Sequence, residues 1–219
     1  MTRMMGIVAF LPLCGFLAAI CAGCGGGAGY GGGADANAER ARLRGLLGEA
    51  RNLPDGFSAR PRDGWRAPFR SADEDCRLVL DAAAAGSAQA VAGVRVAVTY
   101  QGDRVGELAG VGLTSYAGDT AERRFAELTR ALGDCAVVKG GVAGRSTTFT
   151  VSPLDLRGVG GDVQARRLSG RLNGYPYEMH LVFALSGHTV VSLVHTGMAA
   201  VDVERTRQLT RFLVGRTAA

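Results

Sequence analysis

Apolar positions along the chain recur with two periods. Leu43, Leu46 and Leu47 repeat at helical spacing between Glu39, Arg40, Arg42, Arg44, Glu49 and Arg51, which predicts a helix over residues 35–51. Pro54-Asp55-Gly56 is a turn signal that ends it, and the Arg-, Pro- and Gly-rich residues 57–70 read as an extended arm. Ser71, with Glu74 three residues on, predicts a capped second helix that carries Cys76, Leu78, Val79 and Leu80. The period then changes to two. Val94, Val96 and Val98 alternate with Arg95, Ala97 and Thr99, a strand over 95–100. A returning strand over 104–116 places Val105, Glu107, Ala109, Val111 and Leu113 on one parity, and Glu107 interrupts that apolar face.

A third helix follows Asp119, with Glu122 at the capping-box position, Phe125, Leu128 and Leu132 on one face, and Cys135 just past its end. Residues 146–151, 162–172, 175–185 and 189–196 read as strands, with Asn173-Gly174 and Ser186-Gly187-His188 as tight turns between the last three. A final helix begins near Val201 and includes Leu209, Phe212, Leu213 and Val214. Hairpin-linked strands interspersed with helices predict an α+β domain over residues 35–219, an antiparallel sheet with helices packed on it.

The first residues have a different character. Arg3 precedes an apolar stretch from Met4 to Gly23, and small residues lead into Cys24. This reads as a signal peptide over 1–23. Ala22-Gly23-Cys24 resembles a bacterial lipobox, in which the cysteine becomes lipidated. Cys24 is then the expected acylation site, a palmitate-type modification, holding the protein on the extracytoplasmic face of the cell membrane. An uncleaved anchor and a cleaved, unlipidated signal are the alternatives. Residues 24–34, with glycines from Gly25 to Gly33, read as a flexible tether. Of the five cysteines, Cys14 and Cys21 fall in the signal and Cys24 takes the lipid. The remaining pair, Cys76 and Cys135, predicts one disulfide in an exported domain. Such a bond closes a loop of about 60 residues and stabilises by roughly 4 kcal/mol in the chain-entropy model.

Composition narrows the class. The 219 residues are 47% hydrophobic and 21% charged, which excludes wholesale disorder. The formal net charge of +5 suits an anionic membrane surface or an acidic partner. Basic residues are interspersed with acids, without the basic, aromatic-rich runs that nucleic-acid binding uses, so no nucleic-acid partner is expected.

Candidate chemistry is sparse. There is no GxSxG, HExxH or Walker sequence, no CxxC beyond the signal segment, and no serine in an activating context. If the last hairpin closes around residue 187, His180 and His195 approach across the ladder, with Glu178 beside them. A metal cluster is one reading of that group; two sheet histidines, one partly buried and one solvated, is the simpler one. No metal, cofactor or catalytic residue is assigned. The arm places Arg60, Arg62, Arg66 and Arg70 around Trp65, which suggests contact with anionic headgroups or an envelope polyanion. The alternative is that Trp65 and Phe69 pin the arm to the core. Tyr175, Tyr177, Met179 and Phe183 share one strand face, either as core or as the lining of an apolar, ligand-binding cleft.

The tether, the Asp75-Cys76 helix, the Phe125…Leu132…Cys135 helix and the closing 190–197 strand followed by a helix together resemble the PknH-like extracellular sensor family of actinobacteria, over roughly residues 70–214. That resemblance implies a non-catalytic module that binds a ligand in a cleft. It differs in that the better-known kinase member has two disulfides and only one pair is available here. The sequence thus predicts a membrane-anchored envelope lipoprotein that senses or binds a lipid, glycan or small molecule. An accessory subunit for another envelope protein is the alternative, and a hydrolase a more distant one.

Overall fold

The computed structural model describes residues 32–48, 53–85, 93–142 and 145–218. The expected signal peptide, Cys24 and most of the tether lie outside the described residues. The elements are α1 (Gly32–Gly48), β1 (Arg62–Asp63), β2 (Arg70–Ser71), α2 (Glu74–Ala83), β3 (Gly93–Gln101), β4 (Leu108–Tyr116), α3 (Thr120–Asp134), β5 (Val137–Val142), β6 (Arg145–Pro153), β7 (Asp162–Leu172), β8 (Tyr175–Ser186), β9 (Thr189–Gly197) and α4 (Val203–Thr217). The strands form one antiparallel sheet in the order β1-β3-β4-β9-β8-β7-β6-β5-β2.

The sheet is covered on both sides. On one face α2 and α3 pack with Trp65, Phe69, Phe149, Met179, Leu181 and Phe183. On the other, α1 lies against β3 and α4 against β8 and β9, over Val111, Leu113, Val182, Ala184, Val191 and Leu193. Strands covered on both faces need apolar residues at both parities. The central part of β8 and nearly all of β9 are accordingly buried throughout, with apolar residues at both parities. The hairpin between them pairs Ser186 with Thr189 across Gly187-His188, as the turn signal implies. The preceding hairpin turns at Asn173 (φ 52°) and Gly174 (φ 86°), left-handed positions that Asn and Gly accept.

Three strands were not legible in the pattern. β5 contains Gly140-Gly141, residues that depress strand propensity. Gly140 is needed there, because a Cβ would lie 2.7 Å from the Arg70 carbonyl oxygen of β2. The strands β1 and β2 come from the arm, which pairs with β3 at one edge of the sheet and with β5 at the other. This sets a geometric constraint. The seven peptide steps from Asp63 to Arg70 reach at most about 25 Å. Eight interstrand spacings of a flat sheet in this order amount to about 38 Å. The sheet is therefore curled, with the arm as a strap across its α2/α3 face. Trp65 and Phe69 sit beneath the strap at 6% and 5% exposure. Phe69 stacks on Phe149 at 4.9 Å, and Trp65 lies over Gly110, where a Cβ would come within 2.3 Å of the Trp65 Cβ.

Helix ends follow local chemistry and shift two expected boundaries. Asp73, not Ser71, caps α2, accepting from the Cys76 amide at 2.8 Å, while the Ser71 hydroxyl accepts from the Asp73 amide at 3.2 Å. The carboxylates of Glu74 and Asp75 then lie in the first turn, where the helix dipole favours them. Asp202 caps α4 in the same way, accepting from the Glu204 and Arg205 amides. The disulfide joins Cys76 of α2 to Cys135 at the end of α3, tying the two helices of one face together.

If the strap is held by its two aromatic rings, Trp65→Ala is expected to cost about 3–5 kcal/mol by cavity formation. Urea unfolding of the two proteins side by side measures this. A loss below about 1 kcal/mol would mean that the edge pairing alone holds the strap.

Candidate functional site

One group of buried polar side chains stands out on the α4 face of the sheet. The β8/β9 register places His180 directly opposite His195, and β4 places Ala109 beside His195. Parity then decides which way they point. His180 shares a face with Val182 and Ala184, and His195 with Val191 and Leu193, so both rings turn toward α4. Both are fully buried, in contrast to the expected pair of one partly buried and one solvated ring.

Between the rings stands Thr206 of α4. Its Oγ1 is 2.7 Å from His180 Nδ1 and 2.8 Å from His195 Nδ1, and 3.1 Å from the Asp202 carbonyl oxygen one turn earlier. Each outer ring nitrogen meets a carboxylate. His180 Nε2 is 3.0 Å from Glu178 Oε1, and His195 Nε2 is 3.0 Å from Glu107 Oε1. The result is a continuous chain, Glu178–His180–Thr206–His195–Glu107.

The two ends of the chain are balanced differently. Glu107 Oε2 accepts from Arg205 at 2.9 Å and from the Arg104 amide at 3.2 Å. The same guanidinium binds Asp103 at 2.9 Å and the Asp55 carbonyl oxygen at 2.8 Å, and stacks over Phe57 at 4.7 Å. Its hydrogen bond holds the Asp103 carboxyl below the usual carboxylate range. Glu178 instead accepts from the Val201 amide at 3.1 Å and the Ser169 hydroxyl at 3.2 Å. Its nearest cation, Arg167, is 3.5 Å away and makes no hydrogen bond to it. Burial pushes the His180 ring down to about 4 and the His195 ring below its ordinary value. The neighbouring glutamates act in the opposite direction, and burial outweighs them, so neither ring carries a free-standing positive charge.

A cavity of about 110 Å³ adjoins this chain. Glu107 and His195 lie behind it, Val105 and Met198 flank it, and residues 199–202 form its wall. Val105 and Met198 are exposed at 79% and 40%, so the opening has an apolar rim. The ion pair of Arg104 with Asp202 (3.2 Å) and the bond from the Met198 amide to the Val105 carbonyl (3.3 Å) join its two sides. Ala199 in its wall has φ 134°, a conformation costly for a residue with a Cβ. Strain of this kind persists where surrounding structure imposes it.

The other expected site residues are placed differently. Met179 and Phe183 are 1% exposed within the packed core, Tyr177 packs against that core, and Tyr175 is 63% exposed. The four are thus divided between the packed core and the surface. Trp65 is buried, which leaves its ring no surface to offer a membrane, while Arg60, Arg62, Arg66 and Arg70 are all exposed along the strap. No group of three or more His, Cys, Asp or Glu side chains able to hold a metal exists among the described residues. No helix among them is long and apolar enough to cross a membrane. Sequence reasoning passed over Thr206 and Arg205, which sit in an ordinary amphipathic helix. Glu107 left a trace, as the polar residue that interrupted an apolar parity.

Comparison with known proteins finds a likeness in structure alone. No known family profile matches the sequence, and no curated protein matches it. The fold is similar to the crystal structure of the extracellular domain of PknH from Mycobacterium tuberculosis, with a TM-score of 0.57 and 11% identity over 81% of this chain and 90% of that one. At that identity the likeness concerns the fold, and it agrees with the resemblance in element order.

Arg205→Met is expected to destabilise the protein by about 3–5 kcal/mol, because it leaves the buried Glu107 carboxylate without its cation. The double variant R205M/E107Q is expected to recover much of that loss. Chemical denaturation of the two single variants and the double variant measures the coupling. Strict additivity would show that the pair is not an energetic unit.

Proposed function

We propose that this chain is a non-catalytic ligand-binding module of the cell envelope, held at the extracytoplasmic face of the membrane by a lipid on Cys24. The observation that carries the binding reading is the cavity at the β9–α4 loop, backed by buried Glu107 and His195 and walled by strained Ala199. A concave, mostly apolar site with a few convergent polar groups is what small-ligand recognition requires. The non-catalytic reading is supported by saturation. All four ring nitrogens of His180 and His195 already have protein partners, so neither ring is free to act as a base on a substrate. The Cys76–Cys135 disulfide fits an oxidising compartment. The fold is shared with a domain described as extracellular.

The cavity limits the ligand. At about 110 Å³ it is smaller than the roughly 150 Å³ that accepts benzene. The expected ligand, or the part of it that enters, has about six non-hydrogen atoms or fewer, with an apolar body and a polar end toward Glu107 and His195. A ligand-observed NMR screen of such solutes against the full chain in micelles tests this. Binding that is lost in Ala200→Trp, which crowds the wall, supports the site. No binder, or equal binding to both proteins, removes it.

A second reading rests on the strap. Arg60, Arg62, Arg66 and Arg70 are exposed, and none has an ion pair among the described residues. This supports contact with anionic headgroups beside the anchor, each worth about 1 kcal/mol near such a surface. Replacing all four with Gln is expected to lower binding to phosphatidylglycerol vesicles at least tenfold at low salt for the C24A chain. Unchanged binding would leave the strap a purely structural element.

A further inference from the structure

We infer that the ligand of the β9–α4 cavity is a cation, a small primary amine whose ammonium group meets Glu107 while its short aliphatic body lies between Val105 and Met198. This rests on the binding reading above and adds to it the charge of the ligand. The first observation is a mismatch of charges. Among the described residues, the carboxylates of Asp103, Glu107, Glu178 and Asp202 stand around the cavity with only the guanidinium groups of Arg104, Arg167 and Arg205 to match them. Arg104 is taken by Asp202 at 3.2 Å and Arg167 by Glu178 at 3.5 Å. Arg205 is left to serve two acids: one nitrogen, Nη1, lies 2.9 Å from Asp103 Oδ1 and 2.9 Å from Glu107 Oε2. Its Nη2 is committed to the Asp55 carbonyl oxygen at 2.8 Å. His195 adds no positive charge, because burial holds its ring below the ordinary value. The surroundings of the cavity therefore carry a net negative charge, and it belongs to the two acids that share Arg205.

The second observation is unused hydrogen-bonding capacity of one kind. A carboxylate takes about four hydrogen bonds. Glu107 has three neighbours at that distance, His195 Nε2, Arg205 Nη1 and the Arg104 amide, which leaves room for one more donor. His195 offers a ligand nothing, since both of its nitrogens have partners. The features that would draw an anion are already occupied. The first amides of α4 donate to Asp202, which also holds the Arg104 guanidinium. An ammonium supplies the fourth hydrogen bond together with the missing charge. An alcohol supplies only the hydrogen, and a carboxylate supplies neither.

Taking an ammonium out of water is costly unless it is paired and hydrogen-bonded. Glu107 is 4% exposed, and the low dielectric that raises this cost strengthens the pairing in the same measure. The exposed Val105 and Met198 at the opening then suit the aliphatic part. At about 110 Å³ the cavity admits the charged end with a body of about three carbons.

Propylammonium, 1-propanol and propionate share one aliphatic body and differ at the polar end. Ligand-observed NMR titrations against the full chain in neutral micelles, at about pH 7, where the amine is protonated, compare them. Propylammonium is expected to bind about tenfold or more tightly than 1-propanol, the worth of one charge-assisted hydrogen bond, and propionate is expected to show no saturable binding. Glu107→Gln keeps the shape and removes the charge, so the preference for the ammonium over the alcohol is expected to fall to about threefold or less. A wild-type protein that binds 1-propanol or propionate as tightly as propylammonium overturns the inference and leaves the cavity a binding site. One that binds none of the three removes both. An undiminished preference in E107Q overturns the role given to Glu107. Nα-acetyl-lysine methylamide carries the same ammonium on a side chain; if it binds more tightly than propylammonium, the cavity reads a lysine of a partner protein and the free-amine inference falls. The wild-type ranking decides by itself if the variant does not fold.

Discussion

The register of the β8–β9 ladder is the constraint on which the rest of this molecule depends. Side chains alternate across a strand, so a slip of one residue would send each side chain of one strand to the opposite face. Here one face must accept Phe183, Met179 and Val194 beneath α2 and α3, and the other Val182, Val191 and Leu193 beneath α1 and α4. Both faces are apolar, so hydrophobicity alone discriminates weakly between the two registers. The two-residue Gly187-His188 turn and the paired positions of the histidines remove that ambiguity. A slip would carry one imidazole away from Thr206 into an apolar layer with no partner, at the cost of an unmade buried hydrogen bond.

This gives the polar chain a structural role. Buried polar groups are expensive unless every member finds a partner, and a fully partnered network disfavours alternative packings. The chain draws its members from the turn before β4, from β8, from β9 and from α4. It sits next to the cavity and to the strained loop leading into α4. The opposite face does different work: there the disulfide, the strap and the stacked Phe69–Phe149 pair make a tight, chemically quiet layer.

Much of the fold was legible because the signals were local. Alternating valines marked β3, turn residues marked both hairpins, and the spacing of Phe125, Leu128 and Leu132 marked α3. The cysteine count anticipated the bond between Cys76 and Cys135. The short strands β1 and β2 carried no local signal, since each exists only because an edge of the curled sheet lies beside it. The glycines of β5 argued against a strand for a reason that tertiary contact reversed. The Trp65 arm offered two readings, and burial beneath the strap selected the structural one for its ring.

What the sequence determined by itself was the α+β class, the helix and hairpin positions, the cysteine pairing and the approach of His180 to His195. All of these rest on periodicity, turn chemistry or counting within a short stretch of chain. The tertiary structure alone decided that both rings are fully buried, that Thr206 stands between them, and that Glu107 and Arg205 close one end. Arg205 and Glu107 are separated by 98 positions along the chain, and hydrogen-bond partners at that range are set by how helices dock on the sheet, which no local pattern encodes.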